Sequence, residues 1–97
     1  NYIITLAVTI SALGKLGSFF YENRNYDINT FIPKLRDIDW LRSNTDWRNR
    51  VIRPNGKVQN NDEAVYLTCT KIKELIGIPL SKEEENRERM QRRKNGR

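Results

Sequence analysis

The chain has 97 residues, 18 of them basic and 12 acidic, for a net charge of +6 with 37% hydrophobic content. It holds no histidine, which excludes histidine acid–base catalysis and His–Cys zinc sites within these residues. Its one cysteine, Cys69, excludes an internal disulfide and fits a reducing, cytoplasmic setting.

A chain this short makes one small domain or part of a larger protein. It begins with Asn1, and a hydrophobic pattern starts at once with Tyr2, Ile3 and Ile4. We therefore expect a fragment of a longer chain, its C-terminal part. A mean hydropathy of −0.77 means a small core, and a free domain of this size is marginal without a neighbour. The pI of about 9.8 permits nucleic acid or another anionic surface as partner. Ile3 to Leu13, the most apolar run, is too short and too polar to span a bilayer and follows no basic leader region, so no membrane role is expected.

Residues 2–22 are predicted to form the first helix. Ile3, Leu6, Ile10, Leu13, Gly17 and Phe20 recur at three- and four-residue steps on one face, widened by Val8, Leu16 and Phe19. Glycines 14 and 17 could mark a kink. The polar stretch 22–29 is a break, with Asp27 or Asn29 able to cap a second helix and Pro33 tolerable in its first turn. Phe31, Ile32, Leu35 and Ile38 give that helix an apolar side, extending to about Arg42. Ser43 to Asp46 then reads as a turn or the cap of another short turn. Trp40 and Trp47 thus fall on opposite sides of a break instead of forming a stripe along one helix.

Residues 50–59 read as a short β-hairpin, with Val51-Ile52 and Lys57-Val58 around Pro54-Asn55-Gly56. A third helix follows, with Asn60 and Glu63 at capping-box spacing. Val65, Thr68, Cys69, Ile72, Leu75 and Ile76 form its apolar face, and Gly77 and Pro79 stop it. Cys69 reads as a small buried hydrophobe. Ser81 and Glu84 repeat the capping-box spacing and open a fourth helix, acidic at Glu83, Glu84 and Glu85. Residues 86–97 hold six basic side chains against Glu88, a run expected to fray into disorder. The fold expected is mainly α, three to four helices with one short hairpin. Residues 1–80 form the domain and 81–97 an acidic-to-basic helical tail.

No catalytic, cofactor or metal site is expected. The acids fall at helix starts or point apart, and the glycines form neither a dinucleotide-binding nor a Walker loop. The basic residues fall in two groups. One is Arg42, Arg48, Arg50, Arg53 and Lys57 around the tryptophans, and the other is the tail with Arg92, Arg93 and Lys94. Arginine beside tryptophan can stack on bases or grip phosphate. Equally, the indoles can be core anchors with arginine stems packed over them.

The stretch from Ile38 to Val58 followed by 67–84 resembles the C-terminal region of DGQHR-domain proteins, the group that contains the DndB-like proteins of DNA sulfur modification. The resemblance is carried by Ile38-Asp39-Trp40, Arg42-Ser43-Asn44, Trp47, Arg50 and Gly56. It continues through Leu67-Thr68, Ile72-Lys73, Gly77-Ile78-Pro79-Leu80 and Glu83-Glu84, and covers about 37–85. The ALGKLG run at 12–17 is a candidate extension. The motif that names the group is absent here, so activity tied to it does not carry over. Thr45 and Asn49 stand where proline and glycine are expected, and the basic tail lies outside the pattern. The resemblance implies a bacterial cytoplasmic protein of phosphorothioate modification, and a DNA-binding regulator of the modification genes. Its partners would be double-stranded DNA, an N-terminal domain of the same protein and a second copy of itself. Under the alternative it is a structural or self-association module that braces the N-terminal domain and binds no ligand. In either case Trp40 and Trp47 anchor the segment. Arg42, Arg48 and Arg50 are then buried braces or a held-out phosphate grip.

Overall fold

Four helices and one short 3-10 turn are built from local signals and then collected on the third helix. They are α1 (Ala7–Glu22), α2 (Ile28–Arg36), the 3-10 turn Thr45–Trp47, α3 (Asp62–Ile76) and α4 (Lys82–Asn95). The computed structural model describes residues 2–3, 6–48, 50–53, 55–58 and 60–95, with backbone alone for 92–95. The chain is mainly helical, as expected, with a Cα radius of gyration of 13.0 Å, that of a compact domain of this length.

α1 begins at Ala7, five residues later than the apolar pattern suggests. Tyr2 and Ile3 are recruited elsewhere. Ile3 donates its backbone N–H to the Trp40 carbonyl at 2.8 Å, Tyr2 makes an antiparallel bridge with Leu41, and the Ile3 side chain is fully buried. The buried face of α1 also differs from the expected one. It is Val8, Thr9, Ala12, Leu16 and Phe20, at four-residue steps, while Ile10 is 57% exposed and Gly17 faces outward. Apolar residues occur around much of this helix, so periodicity alone sets its angular position poorly. The seam with α3 decides it. The helix runs unbroken through Gly14 and Gly17.

α2 is capped by the Asp27 side chain, which accepts from the Asn29 N–H at 2.9 Å. It stops at Arg36, short of the expected Arg42, and Pro33 falls past its first turn. No α2 residue is fully buried. It is attached instead through rings: Phe19 meets Tyr26 and Phe20 meets Phe31, with centroids 5.6 and 5.5 Å apart.

α3 is the element every other helix packs on. Its N-cap is Asn61, one residue later than expected, whose side chain accepts from the Ala64 N–H at 2.8 Å. Ala64, Leu67, Thr68, Cys69, Ile72 and Ile76 are buried along it, whereas Leu75 is 40% exposed. Gly77 ends it at φ +89°. The Ile78 N–H reaches back to the Lys73 carbonyl at 2.9 Å and the Gly77 N–H to Glu74 at 3.2 Å, the paired bonds of a Schellman ending. The expected capping box then starts α4. The Glu84 N–H donates to the Ser81 hydroxyl at 3.2 Å, and the Ser81 N–H to the Glu84 carboxylate at 2.9 Å.

The β-hairpin expected at 50–59 is not formed among the described residues. In its place is a tight turn closed by one antiparallel bridge, Ile52 to Val58. The Arg53 N–H meets the Lys57 carbonyl at 2.7 Å, and Gly56 turns at φ +84°. Strand pairing stops there because the Trp47 carbonyl draws in the N–H groups of Val51 and Ile52, both at 3.0 Å, which curls the first arm. Pro54 and Gln59 of the expected hairpin lie outside the described residues.

Candidate nucleic-acid interface

The segment 37–58 is folded by its own polar side chains. The Asp39 carboxylate accepts from the Leu41 N–H at 3.0 Å, which turns the chain back after Trp40. The Asp39 carbonyl then takes the Asn44 side-chain amide at 2.8 Å and the Trp47 indole N–H at 2.9 Å. Asn44 caps the 3-10 turn by accepting from the Asp46 N–H at 3.1 Å. The fold-back brings the two indoles face to face, 6° from parallel with centroids 5.5 Å apart. Trp47 is fully buried. Trp40 is half-buried and donates its indole N–H at 3.1 Å to the Leu35 carbonyl, in the last turn of α2, which also accepts from the Ile38 N–H at 3.3 Å.

Arg50 lies beneath this clamp, 6% exposed. Its guanidinium grips the Glu88 carboxylate bidentately, at 2.5 and 2.7 Å. It also donates to the carbonyls of Leu67 at 3.0 Å and Asp46 at 3.1 Å. Of the two roles weighed for Arg50, the geometry in this structure is that of a buried brace. Glu88, 2% exposed, is the partner of Arg50 that sequence reasoning passed over. Its one sequence signal is being the lone acid in a basic run.

Arg42, Arg48, Arg53 and Lys57 are exposed. Arg42 donates to the Gly56 carbonyl at 3.1 Å, which pins it beside the turn carrying Arg53 and Lys57. Arg48 bridges to Ile52 in the same curl. The fold therefore brings four of the five basic residues of the first group onto one tethered outer loop. Asp46, an acid of this segment, faces Lys71 at 3.8 Å. Arg92, Arg93 and Lys94 fall in the last turns of α4, and their side chains lie outside the described set.

A second polar cluster joins α3 to α4. Lys73, 7% exposed, meets the Glu84 carboxylate at 2.8 Å and places its ammonium 4.2 Å above the Phe19 ring. Burial alone would raise the Glu84 pKa. Hydrogen bonds from Lys73 and Ser81 and the Lys73 charge outweigh it, holding the carboxyl below its ordinary range. Cys69 beside them is buried, and burial pushes its thiol pKa up, which suits a packing residue better than a nucleophile. These side chains line a cavity of about 290 Å³ with Lys15, Ser18 and Tyr66. Among the described residues no group of three or more acidic or thiol side chains is placed to hold a metal. No described helix is long and apolar enough to cross a membrane.

A family model described as DndB, DNA-sulfur modification-associated, matches residues 1–79. The chain belongs to that family. The match takes in the whole tryptophan clamp and the exposed arginine loop, and it ends just before α4. No curated protein and no solved structure matches the chain. Membership places the chain among proteins associated with DNA sulfur modification. The contacts of the fold give the pattern quoted from 38 to 50 its physical roles. Ile38 is core, Asp39 is the folding hub, Trp40 and Trp47 stack, Asn44 caps and Arg50 braces.

Proposed function

We propose that this chain is a DNA-binding regulatory module of a bacterial, cytoplasmic phosphorothioate modification system, placed C-terminal to a further domain and carrying no catalytic centre of its own. The observation that supports it is the exposed quartet Arg42, Arg48, Arg53 and Lys57 on a stretch tethered by the stacked tryptophans and the Arg42–Gly56 hydrogen bond. Guanidinium groups on a preorganised loop lose little entropy on gripping phosphate. The basic half of α4 adds a sequence-independent attraction.

The test is binding to duplex DNA across a salt series. Affinity should fall steeply with salt, and Arg48→Ala with Arg53→Ala should both weaken binding and flatten the salt slope. Absence of binding at about 50 mM salt would remove the DNA reading.

A second reading, a module that braces another domain or a second copy, has its own observation. Ile10 and Tyr21 on α1 and Ile28 and Ile32 on α2 are exposed apolar side chains. Sedimentation of the chain in the absence of DNA distinguishes self-association from a monomer.

A further inference from the structure

α4 is attached in a different way from the other helices. Among its described side chains, those buried are Glu88 and Gln91, both polar, and its one apolar residue, Met90, is 61% exposed. Among the described residues three cross-element ion pairs hold it: Arg50–Glu88 at 2.5 Å, Lys73–Glu84 at 2.8 Å and Arg87–Glu63 at 2.8 Å. α1, by contrast, buries Val8, Ala12, Leu16 and Phe20. Lifting α4 returns ions to water and withdraws no apolar side chain of its own from the core, and the desolvation cost of a buried pair is recovered when both partners are solvated. Lifting α1 would expose the core.

The Arg50 end of this attachment is a formed anion site. The guanidinium fork is aimed by the Leu67 and Asp46 carbonyls, neither of which belongs to α4. It stays oriented when Glu88 leaves. A carboxylate and a phosphate present the same pair of acceptor oxygens to such a fork. Arg50 also lies in sequence between the exposed Arg48 and Arg53. The charges along α4 favour exchange. Its docked half, 82–88, carries Glu83, Glu84, Glu85 and Glu88 against Lys82 and Arg87, a net negative charge that a polyanion repels, and residues 89–97 carry five basic side chains and no acid, which it attracts.

We propose that α4 is a charge-latched strap in which Glu88 occupies on Arg50 the bidentate site that a DNA phosphate takes when the strap lifts. The inference rests on the DNA-binding reading above. Docked, the strap withholds Arg50 and keeps affinity low. Lifted, it adds Arg50 to the quartet and frees the basic tail.

The experiment uses the full chain and a short duplex at low salt, comparing Glu88→Gln, Glu85→Gln and Arg50→Lys/Glu88→Gln with the unaltered protein. Glu85→Gln removes the same charge from the same helix at an exposed position, and so sets the electrostatic baseline. Glu88→Gln is expected to bind several-fold tighter than Glu85→Gln, and the double variant to lose that gain. Amide hydrogen exchange on the unaltered chain supplies a readout that needs no variant to fold. Duplex DNA should strip protection from α4 while α3 keeps its own. Equal affinities of Glu88→Gln and Glu85→Gln, a gain that survives Arg50→Lys, or α4 amides that gain protection with DNA would each overturn the strap. If the unaltered chain binds through Arg42, Arg48, Arg53 and Lys57 while Glu88→Gln gains nothing, the strap fails alone. If none of the proteins binds, the strap falls together with the DNA reading.

Discussion

Trp40 and Trp47 stack plane on plane, 5.5 Å apart, and each indole N–H is fixed by a backbone carbonyl five or eight residues away in the sequence. The pair is a hinge-pin. It closes the loop 40–47 on itself and seats that loop against the helical core, with Trp47 as the fully buried member. Their spacing of seven residues therefore does not reflect two turns of one helix. It is the length of chain needed to leave α2, turn at Asp39 and return through the 3-10 turn.

Replacing Trp47 with Ala should cost about 3–5 kcal/mol, the usual range for emptying a buried Trp site. Since the whole stability of a domain is only about 5–15 kcal/mol, urea unfolding should show a midpoint shifted far toward lower denaturant. Trp47→Phe should cost less, yet it leaves the Asp39 carbonyl short of the indole donor and so exceeds a simple volume change. Trp40→Phe, at a half-buried position, should be the mildest of the three. An order reversed between positions 40 and 47 would disprove the assignment of Trp47 as the core member.

The glycines give a prediction of opposite signs within one protein. Gly14 and Gly17 lie on the outer side of α1, with nothing within 4 Å of where a Cβ would sit. Ala at either should stabilise by about 0.5–1 kcal/mol through helix propensity and a smaller unfolded-state entropy. Gly77 turns at φ +89° to end α3, and Ala there should destabilise by about 1 kcal/mol or more because an L side chain resists that backbone conformation. Thermal melts of the three single variants check the signs directly.

What was legible in the sequence was local. The stop at Gly77 and the capping box at Ser81 and Glu84 are short-range patterns, and both form where they were expected. The break between the tryptophans was legible too, because Ser43 to Asp46 carry turn chemistry. The register of α1 was not, since Ile10 and Leu13 compete with Val8, Ala12 and Leu16 for the core face and a long-range seam with α3 decides between them. The hairpin at 50–59 read as strands because Asn55-Gly56 does make a turn, but the Trp47 carbonyl captures the N–H groups its first strand would need. Arg50 and Glu88 stand 38 residues apart, and no periodicity links them. A basic residue in a basic stretch looks like a ligand contact until its partner is located.

Two buried hydroxyls mark sites where the chain is not optimised. Thr9 and Thr68 are fully buried, and their Oγ1 atoms have no hydrogen-bond partner among the described residues. A buried, unpaired hydroxyl costs roughly 1–3 kcal/mol in protein interiors. Val has nearly the same shape, so Thr68→Val should be neutral or stabilising by up to about that amount. A chemical-denaturation midpoint that drops on Thr68→Val would mean that the hydroxyl is paired in solution.

Glu84 sets the acid limit of the α3–α4 joint. Burial works to raise its pKa, but the hydrogen bonds from Lys73 and Ser81 and the Lys73 charge hold it below the ordinary value of 4.5. A carboxyl with a depressed folded-state pKa binds its proton more weakly in the native chain than in the unfolded one. Its stabilising contribution is therefore complete above the unfolded value and is lost as pH falls through the folded one. Stability measured by urea from neutral pH downward should hold to about pH 5 and then decline, and part of that decline should be absent in Glu84→Gln. Lys73→Met should remove the same component, since the largest lowering contribution comes from that ammonium. If Glu84→Gln keeps the full acid slope, the carboxylate is not the group whose protonation loosens the joint.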